Sequence, residues 1–488
     1  MGSSYSRWDL GGLGSHRRPS SHRRGRSASQ AVMLNVPRRL RRRLVSLALL
    51  LFCLLNVLWL VLPADSAVRL AVNFNSARLH NLIRNAAVDR DAWLRKPAPY
   101  AVDLGRDVAY LIKTGYGTRH RIPAQQEAFS MAAGGAAPGE QAGRFLVVGD
   151  WTTVNETDAL ALGVEVHDAI KMVMETKIGP DWQGHHRFRK YRSLQEAVES
   201  GDEAMANRLG QSFGWELDAL KFIMGLELVY KQMPNKKWYI ILDDDTYLIT
   251  PTLKLILGHL DSRKPHYIGN AVGDFKARFA HGGSGILLSG EALRRLFSRA
   301  DIVAKAYFDS LDETWGDRLV ATTLQKLGIY LNERYCHHFN GEPPEITRIS
   351  RDRFCSPLLS FHGLRKIGAM EEVGHTLASI EKPVLWGDLW QYFGSYPIQE
   401  LASQPVQHRQ DHVGPGDEFI KTWDRVETAE QCLRNCERSS KWCLAWTHDQ
   451  QSKECRGSPW MVIGTGDAEQ KDSGVNWKKM APLVKQCS

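Results

Sequence analysis

Apolar positions along this chain fall into three kinds of run, and each predicts a different element. The longest, LVSLALLLFCLLNVLWLVL at residues 44–62, carries no charge and only Ser46 and Asn56 as polar members. At about 1.5 Å per residue it would reach ~28 Å as a helix, close to the hydrocarbon thickness of a bilayer, and it predicts a transmembrane signal anchor. A cleaved signal peptide is the rival, because Ala64 and Ala67 follow the run, but the leader before it is long for that purpose. Short continuous runs come next: VAYLIKT from Val108 to Thr114, RFLVVGD ending at Asp150, WYIIL from Trp238 to Leu242, then HYIGN and GILLS. Runs of this length read as buried strands. Helical spacing marks the third kind. From Glu216 to Met233 it places Leu217, Leu220 and Met224 on one face and stops before Pro234, and EALRRLF and DRLVATTLQKLG follow the same period. Strands alternating with helices predict an open α/β sheet.

Charge divides the chain unevenly. The formal net charge is +9, yet residues 1–43 hold eleven Arg against one Asp, so the tail alone carries +10 and the remainder −1. This argues against an extended basic groove and hence against a nucleic-acid partner. The tail, rich in Ser, Arg, Gly and His, predicts disorder, and Arg41, Arg42 and Arg43 beside the apolar run place that end in the cytosol and everything after Pro63 in the lumen. Beyond the anchor the pattern predicts a stem at 63–105, a catalytic domain at 106–395, a linker at 396–420 and a small cysteine-rich module at 421–488. None of the lumenal cysteines has the CxxC spacing of a zinc site, so disulfides are the default, and Cys336 with Cys355 stands apart as a pair. Asn155-Glu156-Thr157 is a glycosylation sequon that agrees with a lumenal location.

Candidate chemistry concentrates in WYIILDDDTYL, Trp238 to Leu248, where three acids follow a buried strand. In open α/β sheets ligands bind beyond the carboxyl ends of strands. Adjacent carboxylates repel one another, and a hard cation such as Mn²⁺ or Mg²⁺, completing its shell with phosphates, relieves that repulsion. A solvated acidic turn is the blander alternative, which the position directly after a buried strand disfavours.

With the helix before it, the glycine segment AHGGSGILLS at 280–289 and SFHG at 360–363, this run resembles the Fringe and core 1 β-1,3-galactosyltransferase family over roughly residues 106–365. The resemblance implies a Rossmann-like α/β glycosyltransferase domain of the A type, a UDP-sugar donor, Mn²⁺ and inversion at the anomeric carbon. By the same resemblance Asp245 and His362 ligate the metal, and Asp243 supports the metal or the ribose. Thr114, Gly115, Asp150 and Asp244 fall where the family holds the nucleotide, and Gly282 and Gly283 form a wall for the sugars. Asp317 aligns with the Asp of a Glu-Asp pair and takes the role of general base toward the acceptor hydroxyl. Gly316 stands where the family has Glu, which leaves Asp312 and Glu313 as substitutes for the base.

The segment around Cys432, Cys436, Cys443 and Cys455, spaced C-x3-C-x6-C-x11-C, resembles a PAN or apple domain. That resemblance implies the pairs Cys432–Cys455 and Cys436–Cys443, although four cysteines allow three connectivities. Cys487 is left without an assigned partner, and pairing between chains is one use for it. The whole predicts a type II Golgi membrane enzyme moving a hexose, galactose by the core 1 likeness, onto a glycoprotein glycan such as O-linked GalNAc in β-1,3 linkage. The alternative is a catalytically silent, membrane-tethered carbohydrate-binding or adhesion protein acting through the PAN-like module.

Overall fold

The computed structural model describes residues 38–487 apart from 86–89, 133–143, 154–161, 277, 440–441, 465 and 467. Most of the basic tail and the sequon at Asn155 lie outside the described residues. Helix α1 (Arg38–Val61) coincides with the predicted anchor. Residues 44, 45, 48, 55 and 58 of it have side chains outside the description, and among the described residues no helix is long and apolar enough to cross a membrane. The predicted stem is not a free tether. Its helix α2 (Ala67–Asn85) leads into a short turn, Ala92–Arg95, and the segment docks on the domain behind it, with Tyr330 Oη donating to Ala64 O at 2.7 Å and Tyr100 N to Gly258 O at 3.0 Å.

Six strands form the main sheet: β1 (Val108–Lys113), β2 (Phe145–Gly149), β3 (Val166–Asp168), β4 (Trp238–Asp243), β5 (Tyr267–Gly269) and β6 (Ile286–Ser289). Their order is β3-β2-β1-β4-β6-β5, parallel from β3 to β4 and antiparallel beyond. The apolar runs that predict buried strands are these strands. Alternation along β4 sends Tyr239 and Ile241 into the core on one face and Trp238, Ile240 and Leu242 into the core on the other, which is why the run is continuously apolar. The larger core is covered by α3 (Glu203–Gln232), a helix longer than its strongly periodic part, capped by Asp202 accepting from Met205 N and ending just before Pro234.

The C-terminal module is a five-stranded antiparallel sheet of β7 (Gln407–His408), β8 (Lys421–Trp423), β9 (Ala445–Asp449), β10 (Glu454–Ser458) and β11 (Lys471–Val475), ordered β7-β11-β9-β10-β8. β7 comes from the segment predicted as linker. Helix α4 (Ala429–Arg438) crosses the sheet and is bound to it by Cys432–Cys455, while Cys436–Cys443 closes the turn after it. The module shares a core with the first domain: Trp386, Trp390 and Phe361 pack in one cluster with Met461, Met480 and Leu483, and Ile349–Ser350 pairs with Trp460–Met461 as strands.

One predicted disulfide is corrected. Cys336 does not bond Cys355; Cys355 bonds Cys487, 132 residues away, and Cys336 is a free thiol with its Sγ 3.8 Å from Asn332 O. The physical reason is the final helix α5 (Trp477–Cys487), whose Met480 and Leu483 seat in the shared core and bring the chain end against Cys355. Cys487 therefore has its partner within its own chain.

Candidate functional site

Strand register builds the site. β1 and β4 pair in parallel with Lys113 opposite Asp243, and Lys113 Nζ lies 2.9 Å from Asp243 Oδ1 and 2.8 Å from Asp218 Oδ2. Burial alone would discharge Lys113, but the two carboxylates more than offset it and raise its pKa. After β4 the chain turns, with Thr246 N donating to Asp243 O, and Tyr247–Leu248 pairs antiparallel with Ser360–Phe361. That pairing delivers His362, the next residue, to Asp245: Nε2 to Oδ1 is 3.2 Å. Arg365 Nε donates to the other oxygen, Oδ2, at 2.7 Å. Burial would push Asp245 up, yet His362 and Arg365 hold it below the usual carboxylate range.

Asp243, Asp245 and His362 thus converge, each offering a ligand atom within 4.8 Å of the others. The set fits a hard divalent cation. Asp243 Oδ1 is buried, and its contact with Lys113 is an ion pair not aligned as a hydrogen bond. Gly283 is required here for space, since a Cβ at that position would sit 2.2 Å from His362 Nε2. His281 stands on the same wall, its ring 5.3 Å from that of His362; burial first, then the His362 charge, lowers its pKa to about 4.

The other predicted residues divide into two groups. Asp244 points away from the cation cluster, accepting from Thr114 Oγ1 at 2.7 Å, from Thr118 Oγ1 and from Arg121 at 3.1 Å, so it fastens the turn after β1 to the turn after β4. Asp150 is fully buried, with Tyr116 N on Oδ1 at 2.7 Å and Lys221 Nζ on Oδ2 at 3.1 Å. Lys221 also donates to Thr114 O at 2.7 Å, so Asp150 shapes the Thr114-Gly115 turn from beneath.

Asp317, near the start of helix Gly316–Gln325, reaches the site through the glycine wall: Gly282 N donates to its Oδ2 and Arg318 N to its Oδ1, both at 2.8 Å. Burial, aided by the Asp243 charge, outweighs these bonds and Lys113 and raises its carboxyl to about 6. The proposed substitutes lie elsewhere: Asp312 is 79% exposed and pairs with His185, and Glu313 binds Arg318. Gly316, the departure from the family pattern, has a packing cause. A Cβ there would lie 2.1 Å from Phe222 Cδ2, so the position admits no side chain while Phe222 fills the space.

Lys113, His281 and Arg365 are site residues that sequence reading missed. A lysine ending an otherwise apolar strand, and an arginine three residues after SFHG, were the available signals.

An open α/β sheet with acids and an imidazole at its carboxyl edge, joined to a disulfide-rich antiparallel module, is a mixed α/β architecture of the glycosyltransferase-like kind. Residues 216–340 match the Fringe-like family model and residues 408–474 the PAN domain model, so the chain carries a Fringe-like domain followed by a PAN domain. Among curated proteins, the chondroitin sulfate glucuronyltransferase of Homo sapiens is 34% identical over 92 residues, a match spanning 18% of this chain and 12% of that protein.

Proposed function

We propose that this chain is a metal-dependent, inverting glycosyltransferase that moves a hexose from a UDP-sugar to a glycan acceptor. The observation that carries the reading is the convergence of Asp243, Asp245 and His362 beyond the end of β4, with Asp317 held by Gly282 beside the Gly283 that faces His362. Mn²⁺ or Mg²⁺ at those three residues would supply charge neutralisation for a departing diphosphate. The chain's own groups do the rest. Lys113 keeps Asp243 ionised and placed, Arg365 fixes Asp245, and the Asp317 carboxylate takes the proton of the attacking hydroxyl. A carboxyl raised to about 6 is a stronger base than an ordinary Asp and is still ionised at neutral pH.

Galactose as donor sugar, β-1,3 linkage, a glycoprotein acceptor such as O-linked GalNAc, and a Golgi location with residues 44–62 as anchor belong to the same proposal. They rest on the likeness to the core 1 enzymes and on the apolar run. The human relative's name adds glucuronic acid to the donors worth offering. Gly316, which favoured a silent adhesion protein, is accounted for by Phe222 packing and no longer speaks for that alternative. The test is release of UDP by the full chain from UDP-galactose, UDP-GlcNAc, UDP-glucose and UDP-glucuronic acid with Mn²⁺. Turnover of one of them, abolished in Asp245→Ala and retained when residues 421–488 are deleted, supports the enzyme. No turnover with any donor and acceptor, alongside glycan binding lost on that deletion, supports the adhesion reading.

A further inference from the structure

A second cluster of metal-ligating side chains lies outside this site. Asp91, in the segment predicted as stem, meets His337 and His338, and the ligand atoms of all three lie within 4.8 Å of one another. His337 Nε2 is 2.7 Å from Asp91 Oδ2, and His338 Nε2 is 3.8 Å from Asp91 Oδ1. His338 is fully buried. Its Nδ1 faces the carbonyl of Pro357 at 2.7 Å, and a carbonyl only accepts, so Nδ1 carries the proton and Nε2 presents a lone pair. That lone pair has no hydrogen-bond partner, and neither does the oxygen it faces, Asp91 Oδ1.

Two buried acceptors pointing at one another leave both unsatisfied, and burying them so costs free energy unless something positive sits between. An imidazole whose far nitrogen donates to a backbone carbonyl is the arrangement metal-bound histidines adopt. The neighbouring guanidinium groups do not fill the role. Arg84 lies 3.6 Å from Asp91 Oδ1, beyond hydrogen-bonding reach, and donates to the carbonyls of Arg334 and Arg90; Arg90 lies 3.8 Å from Oδ2 and also pairs with Asp352 at 3.6 Å. Burial keeps both histidines below the ordinary imidazole range, hence neutral, the form a metal requires.

We infer that Asp91, His337 and His338 form a structural zinc site that clamps the segment before the first strand to the Fringe-like domain. Two imidazoles and one carboxylate are a donor set suited to Zn²⁺, and the ion would replace the proton His337 Nε2 now shares with Asp91. The position explains what such a clamp would do. Asp91 is 246 residues from His337, and Ser356, which donates to Asp91 Oδ2 at 2.6 Å, adjoins Cys355 of the disulfide to Cys487. One locus therefore ties together the membrane-proximal segment, the first domain and the chain end.

The test is zinc content by mass spectrometry of the full chain in detergent, after gel filtration with excess Mg²⁺, together with visible absorption of the Co²⁺-loaded protein. About one zinc per chain is expected in the wild type and in Asp245→Ala, and below about a tenth in Asp91→Asn and His338→Gln. Should those two variants fail to fold, the second arm decides. His338→Cys should keep the metal and give the Co²⁺ protein a thiolate charge-transfer band, and stripping zinc from the wild type should lower its melting temperature. A wild-type chain that neither retains zinc nor melts differently with it overturns the inference, as does zinc that disappears in Asp245→Ala yet persists in folded His338→Gln.

Discussion

Two Asp/His clusters in this chain differ in composition, exposure and setting, and the differences sort their uses. At the end of β4 two carboxylates and one imidazole converge, with Asp243 30% exposed and Lys113, Arg365 and Arg121 around them. Beneath the stem one carboxylate and two imidazoles converge, with Asp91 at 3% and His338 at 0%. Oxygen-rich and partly open suits a hard cation that shares its shell with a substrate; nitrogen-rich and closed suits an ion that only holds parts together. Damage at the first should therefore cost rate, and damage around the second should cost stability.

The largest effect is expected for Asp245→Ala. UDP release should fall by at least about 10³-fold, the scale of losing a principal electrostatic stabiliser, with circular dichroism unchanged. Next is Asp317→Asn, for which kcat should fall by about 10²-fold or more with KM little altered. The same residue sets a pH limit. A base must be ionised, so wild-type kcat should be full above about 6 and decline as pH falls through that value, while the residual activity of Asp317→Asn should lack that inflection. Beside the closed cluster, Cys487→Ser opens the 132-residue link to Cys355 and should cost about 2–4 kcal/mol in denaturant unfolding, with kcat of the folded fraction intact. The smallest effect is expected for Gly316→Glu, the family residue restored: overlap with Phe222 should cost about 1–3 kcal/mol and bring no gain in rate.

How much of this was legible in the sequence depends on how local each feature is. The strands of the main sheet were, because burial on both faces leaves an unbroken apolar run such as Trp238–Leu242. The acid triplet was legible as a strand-end site, but that Asp244 turns away to Thr114 and Thr118 depends on which face of the turn meets the neighbouring strand. His362 was legible only through a family pattern, since its approach to Asp245 is made by the pairing of Phe361 with Tyr247. The partner of Cys355 was not. Nearness in sequence favoured Cys336, whereas α5 returning onto the shared core supplies Cys487. Asp91 was equally hidden, an unremarkable acid in a presumed tether whose partners lie some 246 residues further on.

The central claim is that the cluster beyond β4 grips a cation for a nucleotide sugar, and a calorimetric titration of Mn²⁺ into the full chain with UDP present tests it most directly. Tight, UDP-dependent uptake of one ion by the wild type and its loss in Asp245→Ala, with the stem cluster intact in both, is the predicted result. Manganese uptake that ignores UDP, or that survives in Asp245→Ala, would contradict the account.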